Sequence, residues 1–367
     1  MTLIDFGHLS SRILHTAVGQ GTPKVDKTTG KYNTDDWGSM YVHLLFKNLS
    51  YLKMKFEKDY GELVICIDSK DNWRKKVYPE YKAHRAKKRD ESKIDYPTFY
   101  TLQNEVIEEI RANFPFKVVE VSEAEADDIV GVLAKKYSAF ENTVVVSSDK
   151  DFKQVLEYGA KLFDPINKIF VNMASNELKE WKVDHILMGD DTDNIPNIMQ
   201  GTEFTPEFRK FLADEGVFKD IPVHEFISMK MANSLFDKFD VYETVKSGKL
   251  KGQKKDTKLI YKTVPFGDKG RYLFTKDLKE NLKKNPMYIE NFKRNKELVL
   301  FEHIPEHISA RIIDTYNTAE SHFDTAGIMR LFSKYHLMEL MKSVSDFFQT
   351  APVQKHTAPK VSLSDWD

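Results

Sequence analysis

The 367-residue sequence contains one cysteine, Cys66, which excludes an internal disulfide and a zinc site built on cysteines. A reducing cytoplasm is the matching expectation, and Cys66, inside the apolar run LVICI, reads as a packed strand residue. No run approaches the roughly 20 consecutive apolar residues of a membrane span. The opening MTLIDFGHL sets Asp5 inside the early apolar run, so no secretory signal is expected. Glycine and proline are sparse, at 16 and 13, which excludes a collagen-like or linker-dominated chain. An excess of one charge is missing too: 55 Lys and Arg against 56 Asp and Glu leave −1, which by itself names no partner. Phosphate-cradling G-x-x-x-x-G-K-[ST], H-E-x-x-H and G-x-S-x-G patterns are all absent, which disfavours triphosphate hydrolysis, zinc proteolysis and serine hydrolysis.

What is present suits a folded chain: 41% hydrophobic and 12% aromatic residues, enough for a large α/β domain with a helical one, or for two domains. Short apolar, partly β-branched runs at Thr2–Asp5, Leu63–Asp68, Val118–Val121 and Thr143–Ser147 predict buried strands. Between them, residues 98–113 place Leu102, Val106 and Ile110 on one helix face. Residues 123–137 predict a second helix, with Ser122 as N-cap and Glu125 closing a capping box. The alternation predicts an α/β fold: a mainly parallel central sheet flanked by helices, with a smaller, mostly helical C-terminal part. Residues 181–194 read as a helix running into a loop. Residues 246–274 read as a basic Gly- and Lys-rich loop or hairpin, and 275–350 as mostly helical, with 297–304 a strand or apolar connection. The Pro-containing polar stretch 351–367 reads as a flexible tail.

In a parallel sheet, ligands gather at the carboxyl ends of the strands, and acids recur there. Asp5 and Asp68 end two predicted strands, Asp149 and Asp151 follow a third, and Glu125, Asp127 and Asp128 open a helix. An extended SSDKDF would point Asp149 and Asp151 the same way, and Asp190 and Asp193 in GDDTDN can face one pocket across a turn. Converging carboxylates repel one another unless a counter-charge is supplied. Oxygen ligands without histidine or cysteine select Mg²⁺ or Mn²⁺ over zinc. Two such ions about 4 Å apart form the clamp for in-line attack on a phosphodiester.

Segment 70–93 carries ten Lys or Arg against Asp71, Glu80, Asp90 and Glu91. Trp73, Tyr78 and Tyr81 interleave with Arg74, Lys75, Lys82 and Arg85, a mixture suited to single-stranded nucleic acid held by phosphate pairing and base stacking. Lys82 and Arg85, three apart, would share a helix face and reach a phosphate near the acids.

In order, IDSKDNWRKKVYPEYKAHR, EAEADD, SSDKDF and MGDDTDNIP make the chain resemble the 5′-nuclease (flap endonuclease) family, with a closer likeness to its T-even-phage ribonuclease H type. The likeness covers residues 1–200 and continues more loosely to about residue 350. It implies a first metal site of Asp5, Asp68, Asp127 and Asp149 with Glu125 linking the ions, and a second of Asp151, Asp190 and Asp193 with Asp128. It implies two Mg²⁺ per active site, with Mn²⁺ able to substitute. It also implies an arch at 70–95 whose phosphate-contacting residues are Lys82 and Arg85, with Tyr81 a stacking candidate and Arg74 and Lys75 as further nucleic-acid contacts. The implied organisation is a catalytic domain at 1–180, a mostly helical DNA-binding domain at 181–350 and the tail. The implied activity is 5′ to 3′ removal of RNA primers and 5′ flaps at replication forks, by a monomer in the cytoplasm, that of the host if the chain is phage-encoded.

One departure stands out. The family's Gly-rich duplex-binding loop, often built around potassium, is replaced by NIPNIMQGTEFTPEFRKF with the single Gly201, so duplex binding is expected to fall to the lysines of 246–255 and later helices. Asp191 matches no ligand position. The tail's VSLSDWD suits docking on a replication partner such as a sliding clamp or a single-strand-binding protein. The competing readings are a non-catalytic binder of branched DNA on the same scaffold and a related metal-dependent phosphatase or endoribonuclease. Every expected acid is present, which speaks against the first; the long basic–aromatic segment after Asp68 speaks against the second.

Overall fold

The computed structural model describes residues 1–198, 242–244, 254–256, 278–283 and 286–348. It divides into two compact units, Met1–Lys182 with Leu300–Asp367, and Val183–Val299.

The first unit is built on a six-stranded sheet of β1 (Thr2–Asp5), β2 (Leu63–Ile67), β3 (Lys117–Glu120), β4 (Val144–Val146), β5 (Lys161–Asp164) and β6 (Ile169–Val171). Its order is β3-β2-β1-β4-β5-β6, parallel throughout except for the β5–β6 hairpin. All four expected strands form, and every residue of β1, β2 and β4 is buried, as expected of strands covered on both faces. Alternation sorts their side chains. Ile4, Ile65 and Val146 join one core, and Leu3, Cys66 and Val145 the other. Cys66 is therefore the core residue its sequence context implied.

The first core is closed by α1 (Phe6–Gly21), α2 (Gly38–Tyr60) and α5 (Tyr96–Asn113). Two short helices, α3 (Arg74–Val77) and α4 (His84–Asp90), lie between β2 and α5. The second core is closed by α6 (Ala126–Tyr137) and a 3₁₀ stretch, Lys150–Tyr158. The α6 start corrects the sequence reading. Glu125, not Ser122, is the N-cap, and the capping box pairs Glu125 with Asp128, because the chain stays extended through the acid that the pattern had put inside the helix. Asp149 and Asp151 do not lie on an extended segment either: Asp149 caps the 3₁₀ stretch, its carboxylate accepting the Asp151 N–H at 3.0 Å.

Helix α7 (Ser175–Met188) leads into the second unit, where β7 (Tyr242–Thr244) pairs antiparallel with β8 (Lys254–Asp256). Helices α8 (Leu278–Lys283) and α9 (Pro286–Val299) join Leu187 and Ile198 in that unit's own small core. Residues 297–304 are the end of α9 and a 3₁₀ turn at Phe301–His303, so no strand forms there. The rest of the expected 246–274 basic segment, Gly201 and the 351–367 tail lie outside the described residues.

From Leu300 the chain belongs to the first unit again, a return that periodicity does not reveal. Helix α10 (Glu306–Thr318) adds Ile308, Ile312 and Tyr316 to the second core. Helices α11 (Thr325–Lys334) and α12 (Met338–Lys342) bring Ile328, Leu331, Phe332 and Leu340 to the first. Among the described residues no helix is long and apolar enough to cross a membrane.

Candidate active site

Strand order decides where the acids meet. β1 pairs with β2 on one side and β4 on the other, so the chain leaves the centre of the sheet in opposite directions at this point. That is the crevice where open α/β sheets bind ligands. Asp5 is the last residue of β1, Asp68 directly follows β2, and Asp149 comes three residues after β4. The Asp5 carboxylate also accepts the His8 N–H at 3.0 Å, so one residue ends the strand, caps α1 and faces the crevice. Between Asp5 and Asp68 the backbone is Gly7, where a methyl group would run into Asp68 Oδ2. A cleft of about 370 Å³ opens beside them, lined by Gly7, Asp68, Lys70, Gln103 and Asn104 among others.

The electrostatics are those of carboxylates crowded together. Burial, then the Asp68 charge and more weakly Asp149, push the Asp5 carboxyl up to about 7. Asp68 is raised as well, by the protein packed around it and by Glu125, although its side chain reaches solvent and its Oδ1 accepts the Ala126 N–H at 2.8 Å. Asp127, half-buried in the first turn of α6, is driven well above the carboxylate range by burial, against the pull of Arg74. Such groups favour ionisation only when positive charge arrives, and their donor set is oxygen, so Asp5, Asp68, Asp127 and Asp149 fit a hard divalent cation. His8 adds a neutral neighbour: burial lowers its pKa, and its Nε2 lies 2.7 Å from Ser148 Oγ.

Glu125 behaves differently. Burial alone would raise it, yet Lys82 and Arg74 hold it at about 2. Its Oε1 accepts from Lys82 Nζ at 2.6 Å, and its Oε2 accepts from Arg74 at 3.1 Å and from the Tyr81 hydroxyl at 2.8 Å. Asp128, fully buried, takes Arg74 Nη2 at 2.7 Å, the Trp73 indole N–H at 3.0 Å and the Glu125 N–H at 2.9 Å. Arg74 is thus a buried cation shared among acids.

The basic segment differs from its expected arrangement in three respects. Arg74, expected against phosphate, is 1% exposed and bound to carboxylates; Tyr81, expected as a stacking surface, is equally buried beneath Lys82. Lys82 and Arg85 do not share a helix face, because α4 begins at His84 and Lys82 precedes it with φ 56°. Lys82 nonetheless acts electrostatically on Asp5, Asp68 and Asp127, and exposed Arg85 acts on Asp68, so both cations address the acids. Lys75 is exposed. No local pattern signals the Trp73–Asp128 and Arg74–Asp128 contacts, which join positions more than fifty residues apart.

In the second unit, Asp190 is buried in a tight loop, its Oδ1 accepting from Thr192 N at 2.7 Å and Thr192 Oγ1 at 2.6 Å. Backbone pairing of Asp190 with Ile195 closes the loop, and Asp193 N donates to the Asp190 carbonyl at 3.1 Å. Gly189, with φ 68°, and Asn194, with φ 60°, take the left-handed conformations this closure needs. Asp191 is exposed on its outside.

Comparison with known proteins finds family matches at both ends of the chain. The family described as 5′-3′ exonuclease, N-terminal resolvase-like domain matches residues 2–186, and that described as T4 RNase H, C terminal, matches residues 271–347. The chain is similar to a ribonuclease H of Enterobacteria phage T4, 25% identical over 314 residues covering 84% of this chain and 87% of that one. It is also similar to a 5′-3′ exonuclease of Aquifex aeolicus, 28% identical over 162 residues covering 42% and 53%. A solved structure of the bacteriophage T5 flap endonuclease with DNA and metal ions overlays with a TM-score of 0.47 at 14% identity, covering 86% of this chain and 99% of that one. The chain belongs to the 5′-nuclease (flap endonuclease) family and is a metal-dependent nuclease of that type, acting on branched DNA and RNA–DNA substrates.

Proposed function

We propose that this nuclease removes RNA primers and 5′ flaps at replication forks by hydrolysing phosphodiesters with two Mg²⁺ ions, for which Mn²⁺ can substitute. The observation that carries the reading is the meeting of Asp5, Asp68 and Asp149 at the ends of three adjacent parallel strands, opposite the cations of the 70–95 segment. Asp5, Asp68, Asp127 and Asp149 would hold one ion, with Glu125 linking the two. Asp151, Asp190 and Asp193 would serve the other. Asp128, committed to Arg74 and Trp73, supports the set from behind. The ions would supply hydroxide at neutral pH and charge for the leaving oxygen.

The chain's own residues would do the rest. Lys82 and Arg85 orient the scissile phosphate, Lys75 meets the strand further out, and the buried Arg74 and Tyr81 fix the base of the arch on Glu125. The unit of residues 1–182 with the returning segment 300–348 would carry catalysis, 183–299 duplex binding, and the 351–367 tail contact with a sliding clamp or single-strand-binding protein, the enzyme acting as a monomer in the cytoplasm.

The deciding assay offers 5′-labelled flap, nicked and RNA-primed duplexes in Mg²⁺. Short 5′ products are expected from the intact chain, and none from Asp149→Asn or Asp68→Asn, both still folded. Full cleavage in excess chelator would end this reading, and clamp-stimulated cleavage surviving truncation after Thr350 would remove the role of the tail.

A further inference from the structure

The arch segment has two legs, and only the first is tied down by the acids. Its second leg, Asp90–Lys93, is gripped by a part of the chain that bears none of the acids proposed for the metals, the hairpin of residues 24–33. The hairpin is well defined. Val25 bridges Tyr32, Asp26 N donates to the Lys31 carbonyl at 2.8 Å, and Asn33 N donates to the Lys24 carbonyl at 3.0 Å. Its tip is closed by the Asp26 carboxylate, which accepts from Thr28 N at 2.7 Å and Thr29 N at 2.9 Å, with Gly30 at φ 70°.

From this frame Lys31 reaches across. Its ammonium donates to the Asp90 carbonyl at 2.9 Å and the Ser92 carbonyl at 2.5 Å. Next to it, Tyr32 N donates to the Lys93 carbonyl at 2.7 Å, and the Tyr32 ring packs against the first core while lying 6.0 Å from Lys93 Nζ. Asp90 is the last residue of α4, where the helix dipole leaves carbonyls seeking positive charge. A half-buried lysine spent on two backbone carbonyls does little for surface charge, but it fixes the exit of α4.

We propose that the 24–33 hairpin is a brace for the second leg of the arch, with Lys31 as its positioning residue for the strand that the arch holds. This rests on reading 70–95 as a strand-holding arch. Without the brace, the end of α4 loses the hold of the hairpin on Asp90, Ser92 and Lys93.

The test is Lys31→Met in the full-length chain, read by hydrogen–deuterium exchange without substrate. Loss of charge-assisted hydrogen bonds is expected to speed exchange across residues 84–93 by about tenfold while β1 and β2 stay protected. Lys31→Arg, which keeps the charge and the donors, is expected to restore protection. In steady state with a 5′ flap, Lys31→Met should raise KM by about tenfold with kcat nearly kept. Unchanged exchange over 84–93 overturns the brace. Faster exchange with an unchanged flap KM overturns the positioning role through the arch reading, a result distinct from loss of nuclease activity itself.

Discussion

A carboxylate that ends a strand, caps a helix and faces other carboxylates, as Asp5 does, stores its repulsion as a proton affinity. Its carboxyl sits at about 7 in the folded chain against an ordinary 3.8, so between those values the native state holds a proton that the unfolded state releases. Stability from this group is therefore present at acid pH and is lost as pH rises through that interval. Glu125 runs the other way: held at about 2 against 4.5, it stabilises above its ordinary value and fails only as pH falls towards 2. In chelator, the thermal midpoint of the wild-type chain is expected to drop as pH rises from about 5 to about 8, and the drop should be smaller in Asp5→Asn. Saturating Mg²⁺ should abolish the difference, because a cation replaces the proton. Calorimetry of the two chains in both buffers checks this. That Asp5, Asp68 and Asp149 stand at or just beyond the ends of strands is legible in the sequence, because each follows or closes an apolar run. The partners that hold Asp128 are not, since a local pattern cannot say that Arg74 turns inward to an acid more than fifty residues away.

Among elements, α6 carries the heaviest duty, because its N-cap is Glu125, its first turn presents Asp127, and its first N–H, that of Ala126, donates to Asp68. Its far side is fixed by Phe301. A methyl group on Gly131 would lie 2.8 Å from the Phe301 ring, and Gln154, from the 3₁₀ stretch behind Asp149, accepts the Phe301 N–H at 3.0 Å. Gln154 also donates to the Asp151 carbonyl at 3.1 Å, so one buried amide joins an acid-bearing turn to the returning chain. Gly131→Ala is expected to cost about 1–3 kcal/mol by overpacking. Mg²⁺ affinity should weaken at the same time, and pairing the change with Phe301→Leu should recover most of both. Denaturant midpoints and titration calorimetry give the measure. Sequence spacing located this helix but misplaced its cap by three residues, because an extended Glu125 and a helical one have the same neighbours in the sequence.

For the whole molecule, the sheet and its two cores are unfinished without residues 300–348. Phe301, Ile308 and Ile312 cover one face, while Ile328, Phe332 and Phe347 cover the other. A chain cut after Val299 should therefore be insoluble or loosely packed, shown by lost near-ultraviolet circular dichroism, even though every acid proposed for the metals is retained. The parallel sheet was foreseeable from strand–helix alternation. The return of the chain was not, because helices α10 and α11 carry ordinary amphipathic patterns that name no partner.

The wedge made by Phe301 also bears on timing. A ribosome must pass residue 300 before the amide of Gln154 meets its partner and α6 is backed, so these two acid-bearing elements cannot complete their packing while the chain is part-made.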